Sequence, residues 1–276
     1  MSLLVLVALL AAATPPPPKI TGARPKQLKP VGVPVARVTF AEGGLEHASH
    51  GGSWKRMNEG ERVKTGDKVR TGAQATARIA FPWASVTLAA ASTLAVAPSP
   101  ILSTVLEDGR AEQVADGSDI IKLVTPEAEV RGRGRVLVRR QAGVTLVTVV
   151  EGRCQVFAGE AKLSLEKGQG CRVVSGAAPE LRTLPAPPKG VSPARDPRYV
   201  TKGDPVTLSW ETAAAGYHVQ ILPVGSSEVL LSRDLAASPL RVEVPWLGTF
   251  RWRVSARDAE GNEGVPAADG YFCVVE

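Results

Sequence analysis

The chain contains few aromatic residues, few cysteines and no apolar run long enough to span a membrane. Aromatic side chains make up 5% of the 276 residues, and there are three cysteines. The apolar run at residues 1–13 is shorter than the ~20 residues that a transmembrane helix needs. The formal net charge of +6 is modest for this length, and no recognised motif clusters the basic residues. We therefore expect no transmembrane span in the mature chain and no nucleic-acid partner.

Catalytic motifs are also missing. There is no Gly-x-Ser-x-Gly nucleophile elbow and no phosphate loop that ends in Gly-Lys-Ser/Thr. The acidic pair Glu107-Asp108 stands before Gly109, an arrangement typical of a turn in which the aspartate bonds to its own backbone. We expect a protein that is not an enzyme and that uses no cofactor.

The histidines do not predict a metal centre. His47 and His50 are three residues apart and could offer two ligands to one ion, but no carboxylate or cysteine at a matching spacing completes a set of four. The glycines around them indicate a solvent-exposed loop. We expect no metal site, and His218 is expected to lie in a strand.

Proline and glycine are abundant, with 22 and 27 residues, and the prolines are concentrated in two segments. Residues 14–36 and 177–203 are predicted to be proline-rich linkers, because proline cannot donate the backbone hydrogen bonds of a helix or a sheet. Such segments favour an extended polyproline II spacer. Residues 1–13, with small residues at Ala11 and Ala13, are predicted to be a secretory signal peptide. The protein is therefore expected to be exported to the periplasm or cell envelope, or secreted.

The remaining two segments show the short alternating apolar runs of β structure. Residues 37–176 carry such runs between glycine-containing turns, as in Ala75–Phe81 and Thr145–Val149. No window of eleven or more residues outside the signal has a helical period. Residues 204–276 are expected to form a compact β-sandwich of about seven strands with Trp210 and Trp252 in its core. The predicted fold class is all-β. The first domain is left open between a sandwich, a barrel and a short β-helix.

One group of basic residues could bind a partner. Arg131, Arg133, Arg135 and Arg139 share parity, so an extended strand projects them to one side. Four guanidinium groups on one face could bind carboxylates or phosphates in bidentate fashion. The alternative is a solvated strand face balanced by neighbouring acidic residues. Those acidic residues are Glu127, Glu129 and Glu151.

The cysteines allow one disulfide. Cys154 and Cys171 lie in neighbouring predicted strands of one domain, and an exported protein meets an oxidising compartment in which close thiols pair. Cys273 would then be left over. The alternative is that all three are small buried apolar side chains.

Several short elements in a fixed order carry a family resemblance. They are Gly60-Glu-Arg-Val63, Gly66-Asp-Lys-Val-Arg-Thr-Gly72, Lys122-Leu-Val-Thr-Pro126, Val147-Thr-Val-Val-Glu-Gly152 and Leu165-Glu-Lys-Gly-Gln169. Through these elements residues 54–174 resemble the FecR domain of bacterial envelope proteins, which implies an extracytoplasmic domain that contacts other proteins. Through Leu208-Ser-Trp210 and Phe250-Arg-Trp252, residues 204–276 are similar to fibronectin type III modules.

These observations predict an exported, non-enzymatic envelope protein that binds an envelope protein or an anionic glycan. Two β modules leave strand edges that can accept an extended partner segment. One alternative, implied by the resemblance, is an envelope signal-transduction regulator related to the FecR-type regulators of sigma factors. Another is a carbohydrate-binding accessory module that uses Trp54 or Trp83.

Overall fold

The structure is a computed structural model that describes residues 36–49, 51–82, 84–97, 103–115, 120–211, 213–226 and 229–276. Every regular element within these ranges is a β-strand, so the all-β prediction is confirmed. No helical segment of this part has the length and apolarity that a membrane crossing requires. The predicted signal peptide, almost all of the first predicted linker, His50 and Trp83 lie outside the described residues.

Twenty-two strands are described, and they surround two separate hydrophobic cores. We call β1–β15 the first β unit and β16–β22 the second β unit. The strands of the first unit are β1 (Ala36–Glu42), β2 (Leu45–Ser49), β3 (Lys55–Met57), β4 (Arg62–Val63), β5 (Asp67–Thr71), β6 (Thr76–Phe81), β7 (Ala84–Leu88), β8 (Thr93–Ala97), β9 (Ser103–Ala115), β10 (Ile121–Val124), β11 (Glu129–Gln141), β12 (Val144–Ala158), β13 (Ala161–Glu166), β14 (Gly170–Val174) and β15 (Glu180–Arg182). Those of the second unit are β16 (Arg198–Thr201), β17 (Val206–Leu208), β18 (Gly216–Pro223), β19 (Leu231–Leu235), β20 (Leu240–Val242), β21 (Gly248–Arg257) and β22 (Gly270–Val275).

The first unit is one continuous hydrogen-bonded sheet. Its main path runs β15-β14-β12-β11-β10-β9-β7-β6-β1-β4, and β2, β3, β5, β8 and β13 branch from it. Alternate residues of the strands point inward, because successive side chains of a strand face opposite sides. Valine, leucine and alanine therefore fill the core, with Ile79, Leu94, Leu106, Leu123 and Leu165 fully buried.

A kink divides the long hairpin of β11 and β12. Gly134 and Gly152 lie opposite each other, both with positive φ, and the register shifts by one residue just beyond them. A β-carbon on Gly152 would lie 2.3 Å from the carbonyl oxygen of Arg133, so glycine is required for this close approach. The kink separates a distal half, which pairs with β13, from a proximal half, which pairs with β9 and β14.

The second unit has two sheets around an aromatic core. One sheet has the order β16-β22-β21-β18-β19, and the other pairs β17 with β20. Trp210 packs against Tyr217 and Trp252 at centroid distances of 5.4 and 6.2 Å. Trp252 is completely buried, as the sequence predicts for a large ring on an alternating strand.

The segment predicted as the second proline-rich linker contributes a strand to each unit. β15 pairs with β14 of the first unit, and β16 pairs in parallel with β22 of the second. Between these strands the indole Nε1 of Trp252 donates to the carbonyl of Pro193 at 3.1 Å. This proline-rich chain is therefore built into both units by backbone pairing.

Two local predictions are wrong. Glu107 and Asp108 lie within strand β9, where Gly109 has a φ of +91° and the pairing with β8 shifts register, so the glycine marks an irregularity inside a strand. His47 lies in strand β2, opposite Lys55 and Val69 on the two neighbouring strands. In both places the pairing of neighbouring strands outweighed the turn preference of the local sequence.

Candidate binding surface

The four arginines of β11 project away from the first core, but they do not share one environment. Val136 and Val138, between them in sequence, are buried in that core. The kink at Gly134 falls in the middle of the set. Arg131 and Arg133 remain on an open face, whereas Arg135 and Arg139 are only about 17% and 16% exposed and lie in the junction between the two units.

Glu112 of β9 is the centre of that junction. Its Oε1 accepts hydrogen bonds from Arg135 Nε at 2.6 Å and from Arg253 Nη2 at 3.0 Å, and its Oε2 accepts from Gln220 Nε2 at 2.7 Å. Gln220 and Arg253 belong to the second unit. Burial alone would raise the pKa of Glu112, but Arg135 and Arg110 outweigh it and hold that pKa below its ordinary value. The carboxylate is therefore ionised and joins the units.

A second buried pair crosses the same junction. The guanidinium of Arg110 donates to both carboxylate oxygens of Glu263 at 2.8 and 2.9 Å. The Thr148 hydroxyl donates to the backbone carbonyl of Glu263, and the Ser255 hydroxyl donates to its Oε1, both at 2.6 Å. Burial opposes ionisation of Glu263, yet the Arg110 charge dominates and lowers its pKa to about 2. Charge and hydrogen bonding together satisfy the Glu263 carboxylate away from water, whereas Arg110 Nη1 is buried without a hydrogen-bond partner among the described residues.

Asp234 completes the junction at its solvent side. Its Oδ2 accepts from Arg139 Nη2 at 2.7 Å and from Arg257 Nη1 at 3.0 Å, and its Oδ1 lies 2.6 Å from His218 Nδ1. The pKa of His218 is lowered, chiefly by burial and then by Arg110. The imidazole is therefore neutral at pH 7, and its Nδ1–H donates to Asp234.

The sequence prediction of one four-arginine partner face is thus corrected. The chain itself supplies an acid for three of the four: Glu129 for Arg131, Glu112 for Arg135 and Asp234 for Arg139. The alternation along the sequence correctly predicted the side of β11 on which these side chains lie. The second unit packs on that side and covers the proximal half of the hairpin.

The distal half forms an open basic face across β10, β11, β12 and β13. Register brings its residues into three cross-strand rows. The face holds five cations and two carboxylates, a net charge of +3. The rows are Glu129, Phe157 and Lys162; then Lys122, Arg131, Gln155 and Ser164; then Arg133, Arg153 and Glu166.

One end of the basic face is held by an aromatic ring and a carboxylate. Arg131 lies 4.8 Å and Lys162 Nζ 5.6 Å from the centroid of the Phe157 ring, within the range of cation–π attraction. Burial alone would raise the pKa of Glu129, but hydrogen bonds from Lys122 and Arg131 outweigh it and lower that pKa. These contacts use part of the positive charge at this end.

At the other end two cations face each other. Arg133 and Arg153 are directly opposite on β11 and β12, and neither forms an ion pair with any residue that the structure describes. Like charges in this position are destabilising. Together with Arg131, Gln155, one carboxylate (Glu166) and other residues they line an open groove of about 430 Å³. The groove can therefore receive an anionic group.

Cys154, Cys171 and Cys273 are free thiols in this structure, and the bridge between Cys154 and Cys171 stays a prediction. Cys154 lies opposite Leu165 on β13, whereas Cys171 on β14 lies opposite Val147, seven positions away along β12. Although β12 and β14 pair with each other, Cys154 and Cys171 therefore do not lie opposite each other. Burial raises the pKa of both thiols to about 12.

The other candidate residues carry no site of their own. The described part of the chain contains no group of three metal-ligating side chains. Trp54 has Arg70 above its ring at 4.3 Å, so a cation of the chain itself occupies one side of that ring.

Comparisons with known proteins were made against families, curated sequences and solved structures. No family model matches the chain, and no curated protein matches it. Two crystal structures of a proposed anti-sigma factor from Parabacteroides distasonis ATCC 8503 are 18% identical, with a TM-score of 0.36, over 42% of this chain and 57% of that chain. The extracellular domain of the proposed one-component system BT4673 from B. thetaiotaomicron is 6% identical, with a TM-score of 0.23, over 73% of this chain and 28% of that one. The chain thus spans little more than half of the first protein's length.

Sequence reasoning missed several residues of the basic face, among them Arg153, Phe157 and Lys162. They are distant from Arg131 and Arg133 in the chain and come beside them only through strand register. Alternation along the sequence could assign each to an outward position. It could not show the register shift beyond Gly134 that puts Arg153 opposite Arg133.

Proposed function

We propose that this chain is an exported, non-enzymatic binding protein of the cell envelope, and that its basic face binds an anionic partner. The observation that carries the proposal is the facing pair Arg133 and Arg153, which form no ion pair with a described residue and line one groove. A bound carboxylate or phosphate would relieve their repulsion and could accept bidentate hydrogen bonds from each guanidinium.

The junction supports this assignment by contrast. There every arginine of the first unit meets a carboxylate: Arg110 meets Glu263, Arg135 meets Glu112, and Arg139 meets Asp234. Of the distal arginines on the same sheet, Arg131 binds Glu129, whereas Arg133 and Arg153 form no ion pair with a described residue. These two are therefore available to an external anion.

The matched test compares two pairs of facing arginines. Arg37 on β1 lies opposite Arg62 on β4, and both are exposed, but neither lines the groove that holds Arg133 and Arg153. Arg133→Glu with Arg153→Glu and Arg37→Glu with Arg62→Glu change the net charge by the same amount. Each variant would be eluted from poly-L-glutamate resin with a salt gradient.

We expect the Arg133/Arg153 variant to elute at much lower salt than the wild type, and the Arg37/Arg62 variant to shift only slightly. Binding through a local site depends on where the charges lie, whereas general attraction depends on net charge. Equal elution of the two variants would reject the basic face as the binding site.

A further inference from the structure

The basic face ends at an open strand edge. β13 pairs with β12 only, and with six residues it is the longest described strand that pairs on one side alone. A strand edge presents backbone N–H and C=O groups that a further strand can bind. This edge is therefore the place where an extended segment could join the sheet beside the basic groove.

The hairpin between β12 and β13 decides which backbone groups face outward. Ala158 and Ala161 flank its two-residue turn. The pair next to such a turn exchanges backbone hydrogen bonds, and the pairs alternate after it. Lys162, Ser164 and Glu166 therefore direct their N–H and C=O groups away from β12.

The backbone hydrogen bonds of Glu166, at the end of β13, show this outward direction of the N–H and C=O groups. The Glu166 N–H donates to Oε1 of Gln169 at 2.8 Å, and the Glu166 carbonyl accepts from the Gln169 N–H at 3.0 Å. Gln169 thus makes the two bonds that an added strand would make at this position. The corresponding groups of Lys162 and Ser164 have no partner among the described residues, so two consecutive docking positions are open.

The side chains at this edge favour one kind of strand. Lys162 and Ser164 are exposed on the basic face, opposite Phe157 and Gln155 of β12. On the opposite side Leu163 is only partly buried against the first core. A strand added here would place one set of alternate residues beside Lys162 and Ser164 and the other set over Leu163.

We propose that β13 accepts an extended acidic polypeptide as an added strand, with acidic residues toward the basic face and apolar residues toward Leu163. This inference rests on the proposed binding function and names the partner class. A second copy of this chain is disfavoured as the occupant, because two faces of charge +3 would be brought together. Backbone hydrogen bonds would supply affinity, and the alternating side chains would supply specificity.

The test uses a fluorescent eight-residue peptide of alternating valine and glutamate, measured by fluorescence polarisation. Ser164→Pro removes an outward N–H that β12 does not use, and proline is tolerated on edge strands in this position. Ser164→Ala is its control, because it removes the hydroxyl and keeps the N–H. A peptide N-methylated on the residues that face β13 provides the same test without changing the protein.

We expect Ser164→Pro and peptide N-methylation each to weaken binding by about tenfold, since each removes backbone hydrogen bonds. Ser164→Ala should bind like the wild type, and a valine–lysine peptide should not bind. If Ser164→Pro is poorly folded, the N-methylated peptide decides alone. Unchanged binding of the N-methylated peptide would overturn the added strand.

The two proposals fail in different ways. In one outcome the Arg133→Glu with Arg153→Glu variant loses retention on polyglutamate while the N-methylated peptide still binds the wild type as tightly as the unmodified peptide. That result would support the basic face as the binding site and reject the added strand at β13. Retention on heparin resin without any binding of the valine–glutamate peptide would reject the polypeptide in favour of an anionic glycan. Equal elution of the two arginine variants from the resin would reject the basic face as the binding site. In that case a tenfold loss of affinity on N-methylation of the peptide would still support strand addition at β13.

Discussion

Replacing Glu112 with glutamine should uncouple the two β units at a large cost in stability. The carboxylate is 3% exposed and is the acceptor for Arg135, Gln220 and Arg253. Glutamine has almost the same shape, so packing is kept while the charge is lost. Arg253, only 6% exposed, would then be a buried cation without a counter-charge. Breaking a buried ion pair on one side costs about 3–5 kcal/mol.

The control is Glu129→Gln on the basic face. Glu129 also binds two cations, but one of them, Arg131, is half exposed. Such pairs contribute about 0–1 kcal/mol. The two substitutions are chemically identical, so the expected difference of about 3 kcal/mol in the free energy of unfolding reports burial of the junction alone.

Urea unfolding followed by tryptophan fluorescence measures this difference, because Trp210 and Trp252 lie in the second core. A double-mutant cycle of Glu112→Gln and Arg253→Met should give a combined cost well below the sum of the two single costs, since the second change removes the cation that the first leaves unpaired. If Glu112→Gln costs no more than Glu129→Gln, or if the cycle is additive, the junction does not join the units as described.

Two other predictions concern titratable groups. The pKa of Glu263 is about 2 in the folded protein, against ~4.3 for an unperturbed glutamate, so the unfolded chain takes up the proton first. Stability should therefore be fully present above about pH 4.3 and should fall by about 3 kcal/mol as the pH drops toward 2. Glu263→Gln should flatten this part of the profile in acid titrations at fixed urea, and an unchanged slope would contradict the assignment. In thiol titration at pH 8 the partly exposed Cys273 should react first, and the two cysteines of the first core, whose pKa burial raises to about 12, should react only on unfolding. Release of only one thiol after unfolding without reductant would show that those two form a bridge.

The sequence predicts strands well in this protein where apolar and polar residues alternate, as in Ala75–Phe81. It fails where turn-forming residues stand inside strands. Gly109 and the residues around His47 have the composition of loops, yet Gly109 pairs with Arg140 and His47 pairs with strands on both sides. The ladder satisfies their backbone groups, and that tertiary gain exceeds a local preference of about 1 kcal/mol.

By itself the sequence determined the all-β class, the burial of Trp252 and the side of β11 on which its arginines lie, because each follows from a two-residue period along one strand. Only the tertiary structure decided what those arginines meet. Arg135 binds Glu112 of the first unit and Arg139 binds a carboxylate of the second unit, whereas Arg133 faces Arg153. Such pairings join residues distant in the chain, and they depend on strand register and on the packing of one unit against another, which no local pattern of residues encodes.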